Sequence, residues 1–184
     1  PPSYNGYKLK GSFGGPLLAN DIKIIESKIP EKNTLDIDAI KIKEMIKNQI
    51  LSYVDLENDY CKHAENSFDL DIIKKSNLKL AYDPMFGAGI NVMKRLLPDI
   101  IQIHDDINPG FHGTAPEPIH KNLIEFSELI KKQGNIDCGL ATDGDADRIG
   151  LYNRKGEFID SHHLILLLIH YLAKYKKIKG KVIT

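Results

Sequence analysis

The strongest constraint on the fold is an alternation of apolar runs and helical patterns that begins at residue 78. Short apolar runs occupy residues 78–82, 100–103 and 136–141, and each of the first two is followed by a loop and by apolar residues at helical spacing. A hairpin and a further helical stretch follow the third run. Strands that alternate with helices favour a parallel sheet with helices on both faces. We therefore predict an α/β fold, a three-layer α/β/α arrangement with a mostly parallel sheet.

Glycine and proline suggest the boundaries of further elements. Gly134 is expected to end the helix that precedes the third apolar run. Nearer the N-terminus, apolar residues recur at helical spacing from Asn20 until Pro30, and a second helical pattern leads towards Tyr53. The polar stretch 57–66 does not decide between helix and loop.

Composition excludes several classes of protein. The chain carries 25 basic and 25 acidic residues, so no net charge points to nucleic acid or to an anionic membrane. The longest apolar run, residues 164–169, falls far short of the roughly 20 residues that a membrane-spanning helix needs. Two isolated cysteines and the lack of a signal-peptide pattern favour a reducing compartment. We expect a cytoplasmic protein that binds neither nucleic acid nor membrane.

Candidate chemistry is concentrated in the sequence TDGDADR at residues 142–148, directly after the third predicted strand. In a continuing strand, Asp143 and Asp147 would lie roughly 13 Å apart and could not share an ion. Gly144 permits backbone angles that are closed to other residues, and Ala146 adds little bulk, so the chain can bend here. We expect the side chains of Asp143, Asp145 and Asp147 to converge on one hard cation.

The residues alone leave other interpretations of this loop open. Asp-Gly pairs are common in solvated turns, and the aspartates could belong to a non-catalytic metal-binding module. Asp145 and Asp147 could form an aspartyl-phosphate site, because a carboxylate can act as the nucleophile in phosphoryl transfer. A calcium EF-hand is excluded, because its glycine and its closing glutamate would fall on Arg148 and Arg154. Arg148 could either pair with an aspartate or hold a phosphate.

The acidic loop resembles the metal-binding loop of the α-D-phosphohexomutases, the family that contains phosphoglucomutase and phosphomannomutase. Three further segments resemble that family in order and spacing. They are PPSYNGYK at residues 1–8, DPMFGAG at residues 83–89 and PEP at residues 116–118. The resemblance extends over nearly the whole chain.

This resemblance implies a domain organisation. Residues 1–50 would complete a first domain and its connection, residues 51–155 would form a second domain with the metal-binding loop, and residues 156–184 would open a third. The family's phosphorylated serine would precede Pro1, and the loops that bind the sugar and its phosphate would follow Thr184. The chain is therefore expected to be an internal fragment of a multidomain enzyme, inactive by itself.

The resemblance also implies an activity, the interconversion of hexose 1-phosphate and hexose 6-phosphate through a phosphoserine and a hexose bisphosphate. It assigns Asp143, Asp145 and Asp147 to Mg²⁺, and Arg148 to the phosphorylated serine or the substrate phosphate. Lys8 would lie near the reacting hydroxyl, where a lysine could act as general acid or base or neutralise phosphate charge. The implied partners are the hexose phosphates and the remaining domains of the same polypeptide.

Several other residues have a simpler explanation. Gly87 and Gly89 could bring backbone amides close to a phosphate, but an ordinary tight turn between strand and helix is the favoured interpretation. His112 is expected to be solvated in its loop. His162 and His163 are expected at a helix start, because no partner stands at zinc-ligand spacing.

Overall fold

The computed structural model describes residues 7–32, 36 and 38–183. The chain divides into two compact units, one that ends at Asp55 and one that begins at Leu56. Most of the PPSYNGYK segment lies outside the described residues.

The unit that ends at Asp55 begins with a tight loop and a helix. A β-bridge between Lys10 and Pro16 closes the loop. The helix, α1 (Ala19–Glu26), has no buried residue. It lies where the spacing between Asn20 and Pro30 predicted a helix, which confirms that prediction.

The second helix of this unit, α2 (Ile42–Lys47), is shorter than the pattern leading to Tyr53 indicated. Gln49 has a φ of 59°, in the left-handed region, so the helix cannot continue through it. The N–H of Ile50 then turns back to the carbonyl oxygen of Met45 at 2.9 Å. The helix therefore ends within two turns of its start.

Five strands form the sheet of the unit that begins at Leu56. In chain order they are β1 (Leu80–Asp83), β2 (Ile101–Gln102), β3 (Cys138–Thr142), β4 (Ile149–Asn153) and β5 (Phe158–Ile159). Their order across the sheet is β2-β1-β3-β4-β5. The three predicted apolar runs are thus strands, and the α/β class is confirmed.

The sheet is mixed, whereas the alternation pattern predicted a mostly parallel one. β1 pairs in parallel with β2 and with β3, while β3–β4 and β4–β5 are antiparallel. The chain returns from β3 to β4 through a short loop without a helix, and such a connection joins antiparallel strands. The predicted hairpin is the β4–β5 connection, in which Gly156 has a φ of 68°.

Helices flank this sheet. They are α3 (Leu56–Ser67), α4 (Leu70–Lys75), α5 (Ile90–Leu96), α6 (Ile124–Gln133) and α7 (Ser161–His170). α6 ends at Gly134, which has a φ of 66° and confirms the predicted C-terminal glycine. A π-helical turn, Tyr171–Tyr175, continues α7.

The main hydrophobic core lies between α6 and one face of the sheet. The rings of Phe126 and Tyr152 meet edge to face, with their centroids 5.6 Å apart. Gly139 in β3 leaves room for α6, because a Cβ atom there would lie only 2.6 Å from Cδ1 of Ile130. The buried residues of this core are Ala81, Met85, Leu123, Phe126, Ile130, Ile136, Ala141 and Tyr152.

The opposite face of the sheet packs against α5. Tyr82 alternates with Ala81 and so points to this face, where a Cβ atom on Gly89 would overlap its hydroxyl. α3 lies against α5 through a second core that contains Cys61, Ala64 and Leu96. Because α3 buries only two residues, its sequence is too polar to show a helical stripe, and the pattern at residues 57–66 left it undecided.

α7 carries the longest apolar run of the chain. Asp160 caps it by accepting a hydrogen bond from the N–H of His163 at 3.0 Å. His162 and His163 lie in its first turn with exposed side chains, as expected. In the part of the chain that the structure describes, no helix combines the length and the apolar character that a membrane crossing requires.

The core between α6 and the sheet gives a first testable prediction. Phe126→Ala removes a ring that is 0% exposed, and we expect the free energy of unfolding to fall by about 3–5 kcal/mol. Ile124→Ala in the same helix is the matched control, because Ile124 is 45% exposed and should cost less than about 1 kcal/mol. Urea denaturation followed by circular dichroism measures both. Equal losses in the two variants would contradict the described core.

Candidate metal centre

The acidic loop is the connection between β3 and β4. Thr142 pairs with Ile149, so residues 143–148 form the whole connection. It leaves the sheet at the carboxyl end of β3, as the sequence predicted, and beside the end of β1, where Asp83 pairs with Ala141. Open α/β sheets place their ligand sites at this edge.

The loop brings the three aspartates together. One carboxylate oxygen from each of Asp143, Asp145 and Asp147 lies within 4.8 Å of the other two. Two oxygens that bind one Mg²⁺ ion at roughly 2.1 Å can be at most roughly 4.2 Å apart, so small side-chain rotations would bring these oxygens into range. A set of oxygen ligands alone suits a hard divalent cation.

The bend that produces this convergence lies at Ala146. This residue has a φ of 59°, and its N–H donates to the carbonyl oxygen of Asp143 at 3.1 Å. Gly144 does not adopt a positive φ, so the expectation that it supplies unusual backbone angles is wrong. A side chain at this position would be crowded, because its Cβ atom would come within 3.3 Å of Phe111 and Pro116.

Asp143 is the buried member of the three and holds the loop together. Its Oδ1 accepts hydrogen bonds from the backbone N–H groups of Asp147 at 2.9 Å and Arg148 at 3.0 Å. Its Oδ2 accepts from Nε of Arg148 at 2.8 Å. Burial acts to raise the pKa of Asp143, but these hydrogen bonds and the Arg148 charge outweigh it and hold the pKa below its ordinary value. The loop therefore contains a fixed carboxylate.

Asp145 and Asp147 are exposed members of the same cluster. The negative charge of Asp145, followed by contact with the Asp143 carboxylate, raises the pKa of Asp147 above its ordinary value. A raised pKa at a carboxyl group among other carboxylates reflects mutual repulsion. A bound cation would relieve this repulsion, so the electrostatics of the loop fit a cation site.

Arg148 forms the internal ion pair that the sequence analysis left as one of two possibilities. Besides its bond to Asp143, its Nε lies 3.8 Å from Asp147, and its Nη1 lies 3.9 Å from Glu117. The side chain is nevertheless 59% exposed. The guanidinium is therefore accessible to an anion in solution, although its Nη1 already lies near Glu117.

The acidic loop rests on the turn between β1 and α5. The N–H of Ala88 donates to the carbonyl oxygen of Gly144 at 3.0 Å. Gly87 lies so close that a Cβ atom on it would be 2.7 Å from the same oxygen and 2.9 Å from the carbonyl oxygen of Asp143. Close packing of the two loops thus explains Gly87 without any phosphate contact.

A second buried carboxylate lies at the end of β1, and the sequence analysis did not single it out. Asp83 is 0% exposed; its Oδ1 accepts from the N–H of Met85 at 2.8 Å, and its Oδ2 lies 2.8 Å from Nδ1 of His104. The other ring nitrogen of His104 lies 3.2 Å from Glu125. The hydrogen bond with Asp83 raises the pKa of His104. Partial burial acts to lower this pKa, but the negative charges of Asp83 and Glu125 add to the increase, and the pKa is raised overall. A signal was present in the sequence, because Asp83 and His104 directly follow the predicted apolar runs 78–82 and 100–103.

Two other residues from the sequence analysis have different outcomes. Lys8 is exposed in the unit that ends at Asp55, and its place near a reacting hydroxyl stays a prediction. His112 is exposed, as expected, but it also has partners: its Nε2 lies 2.8 Å from Asp106, and its ring centroid lies 4.6 Å from that of Phe86.

The sequence matches the family described as phosphoglucomutase/phosphomannomutase, alpha/beta/alpha domain II, over residues 58–156, which is more than half of the chain. The chain belongs to this family. The matched residues include β1 to β4, the turn after β1 and the whole acidic loop. Family membership thus applies to the part of the chain that contains the candidate metal centre.

Individual relatives agree with this assignment. A protein of Pyrococcus furiosus named as a probable phosphoglucosamine mutase is 30% identical over 100% of this chain and 39% of its own length. A phosphopentomutase of Thermococcus kodakarensis is 27% identical over 91% of this chain and 36% of its own length. A crystal structure assigned as a phosphomannomutase, from Thermus thermophilus, superposes with a TM-score of 0.66 at 28% identity, over 89% of this chain and 36% of that one. The chain thus spans somewhat more than a third of the length of these relatives.

The contact between the two loops gives a second prediction. Gly87→Ala places a methyl group against the backbone of the acidic loop, and we expect the free energy of unfolding to fall by about 1–3 kcal/mol. Gly180→Ala is the matched control, because a Cβ atom there meets no other atom within 4 Å, and it should change stability by less than about 0.5 kcal/mol. Thermal or urea denaturation compares the two. A Gly87→Ala variant as stable as the control would show that the loops do not pack as described.

Proposed function

We propose that the chain contributes the second domain, with flanking parts of the first and third, to an enzyme that moves a phosphoryl group between the 1- and 6-positions of a hexose phosphate. The family match supports this class of reaction. The observation that carries the proposal is the convergence of three aspartates at the carboxyl end of β3. In the proposed reaction, a phosphoserine elsewhere in the polypeptide gives its phosphoryl group to the sugar, and the bisphosphate returns the other one.

Asp143, Asp145 and Asp147 would hold Mg²⁺ in this enzyme. When bound, the ion would neutralise charge on the oxygens of the transferring phosphoryl group. Asp143 is already fixed by its three hydrogen bonds, whereas the exposed side chains of Asp145 and Asp147 are able to adjust to the ion. One oxygen from each aspartate would fill half of the six positions that Mg²⁺ prefers, so we expect weak binding by this chain alone.

Arg148 would bind a phosphate beside the metal. Its Nε holds Asp143, which keeps the guanidinium at the edge of the acidic loop. Its terminal nitrogens carry N–H donors in the planar arrangement that suits two phosphate oxygens. The same side chain therefore compensates carboxylate repulsion without an ion and supplies positive charge for phosphoryl transfer.

Other parts of the proposal rest on the family resemblance. Residues 1–50 would complete the first domain, residues 51–155 the second, and residues 156–184 would begin the third, with further domains of the same polypeptide completing the active site. Lys8 would lie near the reacting hydroxyl, as a general acid or base or as a neutralising charge. A cytoplasmic location would suit an enzyme of sugar phosphates with two isolated cysteines.

The relatives of this chain are named for different sugar phosphates. One relative is named for phosphoglucosamine and another for a phosphopentose, although both match this chain over nearly its full length. The acidic loop can recognise phosphate and metal, which all these substrates share. We therefore propose that residues outside this chain select the sugar.

The metal site gives a third prediction. We expect Mg²⁺ to bind the chain with a dissociation constant weaker than about 1 μM, and Asp145→Asn to weaken binding by at least about tenfold, because it removes one charged ligand. Asp71→Asn is the matched control; this aspartate is also exposed and pairs with Lys75 in α4. Isothermal titration calorimetry measures all three proteins. Sub-micromolar binding, or equal binding by wild type and Asp145→Asn, would contradict the proposed site.

A fourth prediction concerns turnover. The purified 184-residue chain should not convert glucose 1-phosphate to glucose 6-phosphate, because the proposed phosphoserine lies outside it. A coupled assay for glucose 6-phosphate, with added glucose 1,6-bisphosphate and Mg²⁺, measures this. Conversion above the background of an Asp145→Asn preparation would place a nucleophile within the chain and overturn the proposed mechanism.

A further inference from the structure

We infer that Asp83, His104 and Glu125 form a brace that positions the acidic loop, and that His104 is its central member. This inference rests on the proposed function, because it concerns the accuracy of the same metal site. The three residues come from different elements: the end of β1, the loop after β2 and the first turn of α6. His104 joins them through both ring nitrogens, at 2.8 Å from Asp83 and 3.2 Å from Glu125.

The brace acts on a strained turn. Met85 and Phe86, directly after β1, have φ values of 48° and 60°, and neither is a glycine. Consecutive residues in the left-handed region are unfavourable for L-amino acids and persist only where surrounding contacts hold them. This turn is the one on which the acidic loop rests, so the contacts that hold it also set the position of that loop.

Hydrogen bonds from three N–H groups of the turn fix it to three parts of the unit. Met85 donates to the carboxylate of Asp83 at 2.8 Å, and Phe86 donates to the carbonyl oxygen of His104 at 2.9 Å. Ala88 donates to the carbonyl oxygen of Gly144 in the acidic loop at 3.0 Å. The first two bonds involve Asp83 and His104 and so belong to the brace. The third bond joins the turn to the acidic loop, so the position of the turn affects the metal site.

His104 contributes in two ways to this arrangement. Its side chain orients the Asp83 carboxylate, while its own backbone, with a φ of 50°, presents the carbonyl oxygen to Phe86. The ring also lies against that of Phe86, with centroids 4.8 Å apart. Asp83 is 0% exposed, so loss of the imidazole would leave a buried carboxylate oxygen without this partner, which is unfavourable.

The hydrogen bonds of the His104 ring go to Asp83 and Glu125, not to the three candidate metal ligands. His104 is therefore a positioning residue, and it should affect metal binding only through the turn after β1. The loss of the brace should first release the bond between Ala88 and Gly144. The overall fold should be less affected, because the core between α6 and the sheet does not include His104.

Amide hydrogen exchange of the 184-residue chain tests the brace without metal. In His104→Ala, we expect exchange of the Ala88 N–H to become at least about tenfold faster, while the Gly134 N–H, which bonds to Ile130 at 3.1 Å in α6, changes less than about twofold. His104→Asn should restore most of the protection, because asparagine tolerates a positive φ and keeps an N–H donor. His63→Ala, at an exposed position in α3, is the matched control and should change neither amide.

Mg²⁺ titration by calorimetry of the same proteins completes the test. His104→Ala should weaken binding by at least about threefold, and His104→Asn by less than that. If His104→Ala proves unstable, Glu125→Ala keeps the imidazole and should give a smaller change in the same direction. Unchanged Ala88 exchange in His104→Ala, or equal acceleration at Ala88 and Gly134, would overturn the brace. A wild-type chain that binds no Mg²⁺ would instead refute the proposed metal site. The exchange data would still test the brace, because they are collected without metal.

Discussion

β1 and β3 run side by side in the same direction, with Asp83 opposite Ala141, and this pairing brings two connections to one edge of the sheet. One is the strained turn after β1, and the other is the acidic loop after β3. Once paired, the loops pack so closely that Gly87 has no room for a side chain. The position of the aspartates therefore depends on the register of two parallel strands, and any slip by one residue would separate the loops.

Asp143 has two roles in the acidic loop, one structural and one as a candidate metal ligand. Its buried carboxylate closes the loop through backbone hydrogen bonds and pairs with Arg148, and it also belongs to the cluster that fits a cation. Hydrogen bonds within the protein thus hold much of the bent shape of the loop. Repulsion among the three carboxylates opposes this arrangement, and the raised pKa of Asp147 reflects that repulsion. The nearby charge of Arg148 partly offsets it.

The sequence predicted the features that depend on local pattern. Apolar runs indicated β1, β2 and β3, Gly134 indicated the end of α6, and the spacing of the aspartates indicated a bend after β3. Features that depend on distant contacts were not predictable in the same way. The bend lies at Ala146 and not at Gly144, and Phe111 and Pro116 pack over the glycine; no local pattern shows either feature.

Three further features were not predicted, because they also depend on tertiary contacts and not on local pattern. α3 buries only Cys61 and Ala64, so its sequence lacks the apolar stripe by which helices are recognised. The pairing of Asp83 with His104 depends on the order of β1 and β2 across the sheet, which periodicity does not give. The antiparallel pairing of β4 with β3 was likewise not predicted, because an alternation of strands and helices favours parallel pairing until a short connection reverses the chain.

The central claim is that the three aspartates coordinate one divalent ion at the edge of the sheet. Crystals of the chain soaked in Mn²⁺, a substitute for Mg²⁺ that scatters anomalously, test it most directly. The account predicts one anomalous peak at roughly 2.0–2.3 Å from an oxygen of each of Asp143, Asp145 and Asp147. An ion bound elsewhere at the same concentration, or bound by a single one of these carboxylates, would contradict it.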